Sequence, residues 1–338
     1  MGTRLRNGMN MRKKTKIRLI RQRTPLEKLQ ALSAHLGGPD IYIKRDDLIS
    51  FGMGGNKVRK IEYYLAAAVK IKASTVVSIG APHSNHTRAV SAAASYLGMN
   101  SAVLVMGMKP PHLSGNLLLN SILGADLVYL NQPINDFTDR LKLMEKTAAN
   151  LEKNGEKVFI IPVAGAIGCL GPYDACLEML VQSRQKRIDV QHQIVAVGSG
   201  ESFTGLHIAG TERGRVVTHG ICIGRMANQI EPTIVQLINE TLGLLGKKRN
   251  NAMNIRLYDQ YLGNTGVSTQ EALEAINLVA RLEGIFLDPI YTGKAMAGLI
   301  DLIQNKHIKA KESVVFWHTG NPSSLFSHTE DFGKESKR

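Results

Sequence analysis

The chain has 338 residues, 43% of them hydrophobic, and a formal net charge of +14. Its length exceeds that of most single domains and predicts two lobes; no apolar stretch is long enough to span a bilayer or to form a secretory signal core, so a cytoplasmic protein with no membrane partner is expected. The charge invites a nucleic-acid reading that its distribution weakens, because residues 1–23 hold nine Lys or Arg and no acid.

In chain order, that basic segment comes first. It reads as a disordered arm, or as sequence ahead of a start at Met9 or Met11, with weak polyanion binding as its one nucleic-acid role. A short strand-like segment follows at Tyr42-Ile43-Lys44-Arg45, then Gly54-Gly55-Asn56-Lys57-Val58-Arg59-Lys60. Apolar residues at Val58, Ile61, Leu65 and Val69 have the spacing of a helix that starts near Lys57. A lysine is commonly a solvated surface residue. At a helix start, however, the macrodipole disfavours an ammonium, which biases Lys57 toward its neutral, nucleophilic form.

Strand-like runs then alternate with helical patterns. One group is 75–79, 101–105, 126–129 and 158–161, and a second is 193–197, 215–218, 254–258 and 313–317. Near-continuous apolar strands separated by helices predict parallel sheets covered on both faces, here two of them. In such sheets ligands collect at the carboxyl ends of strands. Three loops qualify: Gly80 to Arg88, Pro162 to Gly168, and Gly198-Ser199-Gly200-Glu201-Ser202. Backbone N–H groups at these helix starts are anion sites.

Each loop has a plainer explanation. The loop from Gly198 fits neither the dinucleotide fingerprint nor the nucleotide P-loop, and helix packing alone explains its glycines. Ser84 and Asn85 are good helix caps. His83 and His86 lack a third ligand, and Cys169, Cys176 and Cys222 have no zinc spacing, so no metal is expected and the thiols read as reduced. Together, though, an activated amine, a phosphate-sized nest and a second anion site describe pyridoxal 5'-phosphate holding an amino acid.

The segments Tyr42 to Leu48, Gly54 to Lys60, Ser84-Asn85-His86-Thr87-Arg88, Asp288-Pro289-Ile290-Tyr291-Thr292-Gly293-Lys294-Ala295 and His318-Thr319-Gly320 stand in the order of a known family. From about residue 24 to 327 the chain resembles the D-cysteine desulfhydrase and 1-aminocyclopropane-1-carboxylate (ACC) deaminase family. The resemblance implies an α/β, tryptophan-synthase-β-like fold (fold type II), with two lobes that each contain a mainly parallel sheet covered by helices. It divides the chain into a large cofactor-binding lobe, 24–57 with 163–338, and a small lobe, 58–162, and it implies a homodimer.

Carried over by position, the resemblance makes Lys57 the residue that bears the cofactor, preceded by Asn56, with Asn85 on the cofactor's phenolic oxygen. Ser84, with Asn85, His86 and neighbouring N–H groups, would hold the substrate carboxylate. Gly198, Ser199, Gly200, Glu201 and Ser202 would take the phosphate. Tyr291 would sit over the substrate, and Thr292 and Thr319 near the pyridine nitrogen. ACC deaminases carry Glu and Leu where Thr292 and Thr319 stand. A neutral hydroxyl beside the ring nitrogen makes a weaker electron sink, which suffices to expel a thiolate, so both positions point to a carbon–sulfur lyase acting on D-cysteine. Three residues depart from the family pattern. Glu201 puts a carboxylate near a dianion unless its side chain turns outward, Thr265 replaces a second active-site tyrosine, and His83 stands in a loop of unusual sequence. A sibling deaminase or racemase, and a non-catalytic or polyanion-binding protein, are the alternative readings.

Overall fold

The computed structural model describes residues 15–134, 136–213, 215–248, 254–264, 266–320 and 322–332. In chain order the elements are β1 (Leu26–Lys28), α1 (Gln30–His35), β2 (Asp40–Arg45), α2 (Lys57–Lys70), β3 (Thr75–Gly80), α3 (Asn85–Tyr96), β4 (Asn100–Val105), α4 (Gly115–Ile122), β5 (Asp126–Tyr129) and α5 (Phe137–Lys153). They continue with β6 (Val158–Ile160), α6 (Ala166–Gln185), β7 (His192–Val197), α7 (Glu201–Arg213), β8 (Val217–Cys222), α8 (Ala227–Leu244), β9 (Arg256–Tyr258), α9 (Gln270–Glu283), α10 (Thr292–Gln304) and β10 (Ser313–His318).

Two sheets form, as the two clusters of apolar runs predict. The smaller has the order β5-β4-β3-β6 and is parallel throughout. The larger has the order β1-β2-β10-β7-β8-β9 and is parallel except for β1 against β2. Strands β3, β7 and β10 are buried along their whole length, the condition that gives parallel strands continuous apolar runs instead of alternation. Successive residues feed opposite layers: Val314 and Phe316 of β10 join one core, with α9 and α10, while Val315 and Trp317 join the other, with α6, α7 and α8.

Two details depart from the sequence reading. Strand β8 lies several residues beyond the expected 215–218, and Gly220 within it leaves room that a Cβ would take from Phe203 and Val197, 2.7 Å away. Residues 15–23, expected to belong to a disordered tail, lie instead along α2. The backbone N–H groups of Leu19 and Ile20 donate to Glu62 Oε1 at 2.8 and 2.9 Å, Lys16 meets Oε2 at 3.0 Å, and Leu19 packs into the core beneath. A buried carboxylate has to be paired, and this segment supplies the partners of Glu62. Residues 1–14 of the expected tail fall outside the described residues.

Candidate active site

The carboxyl ends of β3, β6, β7, β8 and β10 meet at one cavity of about 200 Å³, lined among others by Lys57, Ser84, Asn85, Gly198, Tyr291 and Thr319. Lys57 opens α2 after two glycines with positive φ, +73° at Gly54 and +91° at Gly55. A Cβ on Gly54 would fall 2.4 Å from the carbonyl oxygen of Asp47, so the close turn that delivers Lys57 requires glycine there. The pKa of Lys57 is lowered from 10.5 to about 8, first by burial and then by the charge of Lys60, with Glu201 acting the other way. Activation of this amine therefore runs in the expected direction but comes from desolvation and a neighbouring cation, where the sequence reading relied on the helix dipole.

Lys60, one turn on, is the obvious rival amine, and its surroundings are the opposite. Its Nζ lies 2.5 Å from Glu201 Oε2 and also donates to the carbonyl of Val163 at 3.2 Å. Glu201 is fully buried, and its Oε1 accepts from Tyr64 at 3.2 Å and from the N–H of Gly165 at 3.1 Å. A Cβ on Gly168 would lie 2.1 Å from the same oxygen, so the glycine of α6 is what admits this carboxylate. The carboxylate that the sequence placed against a phosphate unless it pointed outward is thus turned inward, onto Lys60. Sequence reading noticed both residues but not the pairing, since they lie 141 positions apart.

The other expected residues sort into three groups. Asn56, Ser84, Asn85, His86, Gly198, Ser199, Tyr291 and Thr319 line the cavity with Lys57. Ser84 Oγ also accepts the N–H of Thr87 at 3.3 Å, so it is both a cap of α3 and a cavity residue. Asn85 Oδ1 accepts from Asn116 at 2.9 Å, which leaves its N–H donors as the groups it can offer. Among the described residues neither ring nitrogen of His86 has a hydrogen-bond partner of good geometry, and burial drives its pKa well below 6.5, so it is a neutral wall. Burial raises the Tyr291 phenol, keeping it protonated.

Gly200, Glu201, Ser202 and Thr292 do not line the cavity. Ser202 Oγ accepts from Asn56 Nδ2 at 2.6 Å, tying the first turn of α7 to the start of α2. Thr292 was expected near the pyridine nitrogen, but its hydroxyl donates to Asp288 Oδ2 at 2.6 Å and its N–H to the same oxygen at 3.0 Å. Asp288 also accepts the N–H groups of Ile290 and Tyr291 at 3.0 and 2.7 Å, so this pair fixes the turn that carries Tyr291. Thr265 lies outside the described residues; its neighbour Gly266 lines the cavity. The described residues contain no cluster suited to a metal, and the three cysteines are free and buried.

This donor set fits pyridoxal phosphate. Lys57 is an amine poised near neutrality, with no hydrogen bond or ion pair from its Nζ to the described residues. The loop from Gly198 leads into the N-terminus of the 13-residue α7, whose first N–H groups have no partner within the helix. With Glu201 withdrawn onto Lys60, no carboxylate among the described residues lines the cavity against a phosphate.

The description "pyridoxal-phosphate dependent enzyme" belongs to the family whose sequence profile matches residues 17–320. The chain is 37% identical over 317 residues to a putative ACC deaminase of Pyrococcus furiosus, covering 93% of this chain and 94% of that protein. It is 36% identical over 320 residues to a D-cysteine desulfhydrase of Yersinia enterocolitica, covering 92% and 94%. A solved structure of an ACC deaminase homologue superposes with a TM-score of 0.87 at 35% identity, covering 94% of this chain and 95% of that one. Fold, cavity and likeness together define a pyridoxal-phosphate-dependent enzyme of fold type II. The chain belongs to the ACC deaminase and D-cysteine desulfhydrase family of these enzymes.

Proposed function

We propose that Lys57 carries the cofactor and that the enzyme eliminates the β-substituent of a small amino acid, converting D-cysteine to pyruvate, hydrogen sulfide and ammonia. The observation that carries the preference for thiolate loss over ring opening is the absence of any carboxylate lining the cavity among the described residues. By the resemblance, the hydroxyl of Thr319 would be the group beside the pyridine nitrogen. When bound, the cofactor supplies the electron sink for charge at the α-carbon. The amine of Lys57 would take the α-proton, a task suited to an amine with a pKa of about 8. Ser84 and the adjoining N–H groups would hold the substrate carboxylate, Asn85 would donate to the phenolic oxygen, and Tyr291 would cover the reacting carbons. A homodimer, which rests on the resemblance, and a cytoplasmic location, which rests on the composition, belong to the same reading.

ACC deamination is the second reading, favoured by the name of the 37% identical archaeal relative. The test is to assay the holoenzyme on D-cysteine, L-cysteine and ACC. Hydrogen sulfide released mainly from D-cysteine supports the proposal. Efficient ACC deamination overturns it, and turnover of none of the three moves the assignment to another amino acid.

A further inference from the structure

Arg88 is a fully buried cation with no part in the chemistry above. It stands in α3 one turn beyond Ser84, on the same side of the helix. Its Nη2 donates to the carbonyl of Gly54 at 2.9 Å. Among the described residues its Nε and Nη1 have no hydrogen-bond partner of good geometry, and burial lowers its pKa to about 10 with no acid among those residues raising it. A guanidinium taken out of water is costly, so the bond it does make asks for a reason.

The carbonyl it holds belongs to the turn that delivers Lys57. Gly54 and Gly55 have φ of +73° and +91°, and two glycines in succession are too permissive to hold one conformation unaided. Three backbone bonds pin the turn: the N–H of Gly54 donates to Phe51 at 2.9 Å, that of Gly55 to Asp46 at 2.9 Å, and that of Asn56 to Thr319 at 3.0 Å. All three act on N–H groups, whereas Arg88 fixes the direction of the Gly54 carbonyl. Helix α3 is also packed on this loop. A Cβ on Gly52 would fall 2.8 Å from the Cβ of Ala92, one turn past Arg88, and a Cβ on Gly55 would fall 3.7 Å from Nη2 itself. The same helix carries Ser84 at its cap, on the cavity wall. Through Arg88, therefore, one helix touches both the expected carboxylate site and the turn bearing the amine.

We propose that Arg88 is a positioning residue that fixes the peptide joining Gly54 to Gly55 and so sets the amine of Lys57 relative to the N-terminus of α3. The reading rests on the Lys57 site described above. Misplacing a reacting group by about 1 Å can cost about 10²-fold in rate. Binding at the start of α3 does not depend on where the amine lies, so the loss falls on kcat and not on KM.

The test uses the holoenzyme and follows hydrogen exchange by mass spectrometry, comparing the peptide over residues 52–57 with that over β7. In Arg88→Met, exchange in 52–57 is expected to quicken by about tenfold or more while β7 is unchanged, because only the turn is released. On the amino acid that the enzyme turns over, kcat falls about tenfold or more and KM stays within about threefold. Arg88→Lys keeps a charged donor and recovers part of both effects; it carries the same comparison if the methionine variant does not fold. Unchanged exchange in 52–57 overturns the proposal. So does faster exchange throughout the protein in both variants, which is a general loss of stability, and so does a kcat within about twofold of the wild type. Failure of the Lys57 reading looks different, because the visible band of the cofactor then persists in Lys57→Ala, whereas exchange in 52–57 is read on the backbone whichever lysine bears the cofactor.

Discussion

Helix α2 bears cations that meet opposite fates. Arg59 donates to both oxygens of Asp46 at 2.8 and 2.7 Å and lies 3.3 Å from Glu178, which Lys44 meets at 2.6 Å. Burial alone lowers the pKa of Arg59, but Asp46 and Glu178 more than offset it and the net shift is upward. Lys57, two residues earlier, is half-buried on the cavity wall with no carboxylate of the described residues in contact, and its pKa falls to about 8. Burial therefore locks a paired cation in its charged form and loosens the proton on an unpaired one. Lys60 carries the contrast into the site itself: it lies beside the reactive amine yet is held by Glu201.

The largest expected effect breaks the paired side. Arg59→Ala leaves the buried Asp46 without its guanidinium partner, and removing one member of a buried pair costs about 3–5 kcal/mol. Denaturant unfolding of the purified protein measures it, and a loss no larger than that of an exposed pair contradicts the distinction. Next comes the segment that pairs Glu62. Deleting residues 1–23 strips the two backbone donors and Lys16 from this carboxylate, for about 1–3 kcal/mol, whereas deleting residues 1–14 removes none of the partners seen and is expected to leave unfolding unchanged. Equal losses from the two truncations would show that Leu19 and Ile20 do not matter.

A third variant moves a cation from one class to the other. With Glu201→Gln, Lys60 loses its counter-ion, so in the cofactor-free protein Lys60 becomes open to amine-directed reagents, where the wild type is labelled at Lys57 and not at Lys60. Peptide mapping decides this, and equal labelling of the two lysines in the wild type contradicts the account. The smallest effect is in the pH dependence of stability. Because the folded pKa of Lys57 is about 8 against 10.5 unfolded, the unfolded chain binds more protons between those values. The contribution of Lys57 to stability therefore rises with pH across that window and is level on either side of it. Comparing cofactor-free wild type with Lys57→Ala between pH 7 and 11 isolates it, and parallel curves would refute the shift.

What was legible in the sequence follows from range. Strands buried on both faces announce themselves as apolar runs, so most of both sheets could be read directly. Strand β1, three residues with only Leu26 buried, has no run to read. The loops at strand ends were legible from the parallel topology, and they brought Lys57, Ser84, Asn85 and Thr319 together. Pairings across the chain were not. Glu201 looked like a defect and Lys60 a rival because neither local segment reveals the other. The charge of residues 15–23 suggested a loose arm because composition does not show that a buried Glu62 awaits their N–H groups. Thr292 was assigned to the cofactor by position, although its hydroxyl closes the Asp288 turn.

The central claim is that Lys57, and not the paired Lys60, carries the cofactor. Borohydride reduction of the holoenzyme followed by peptide mapping tests it directly. The account predicts the reduced cofactor on Lys57 alone, in the wild type and in Lys60→Ala alike, and its absence from Lys57→Ala. Reduced cofactor on Lys60, or retained in Lys57→Ala, would contradict it.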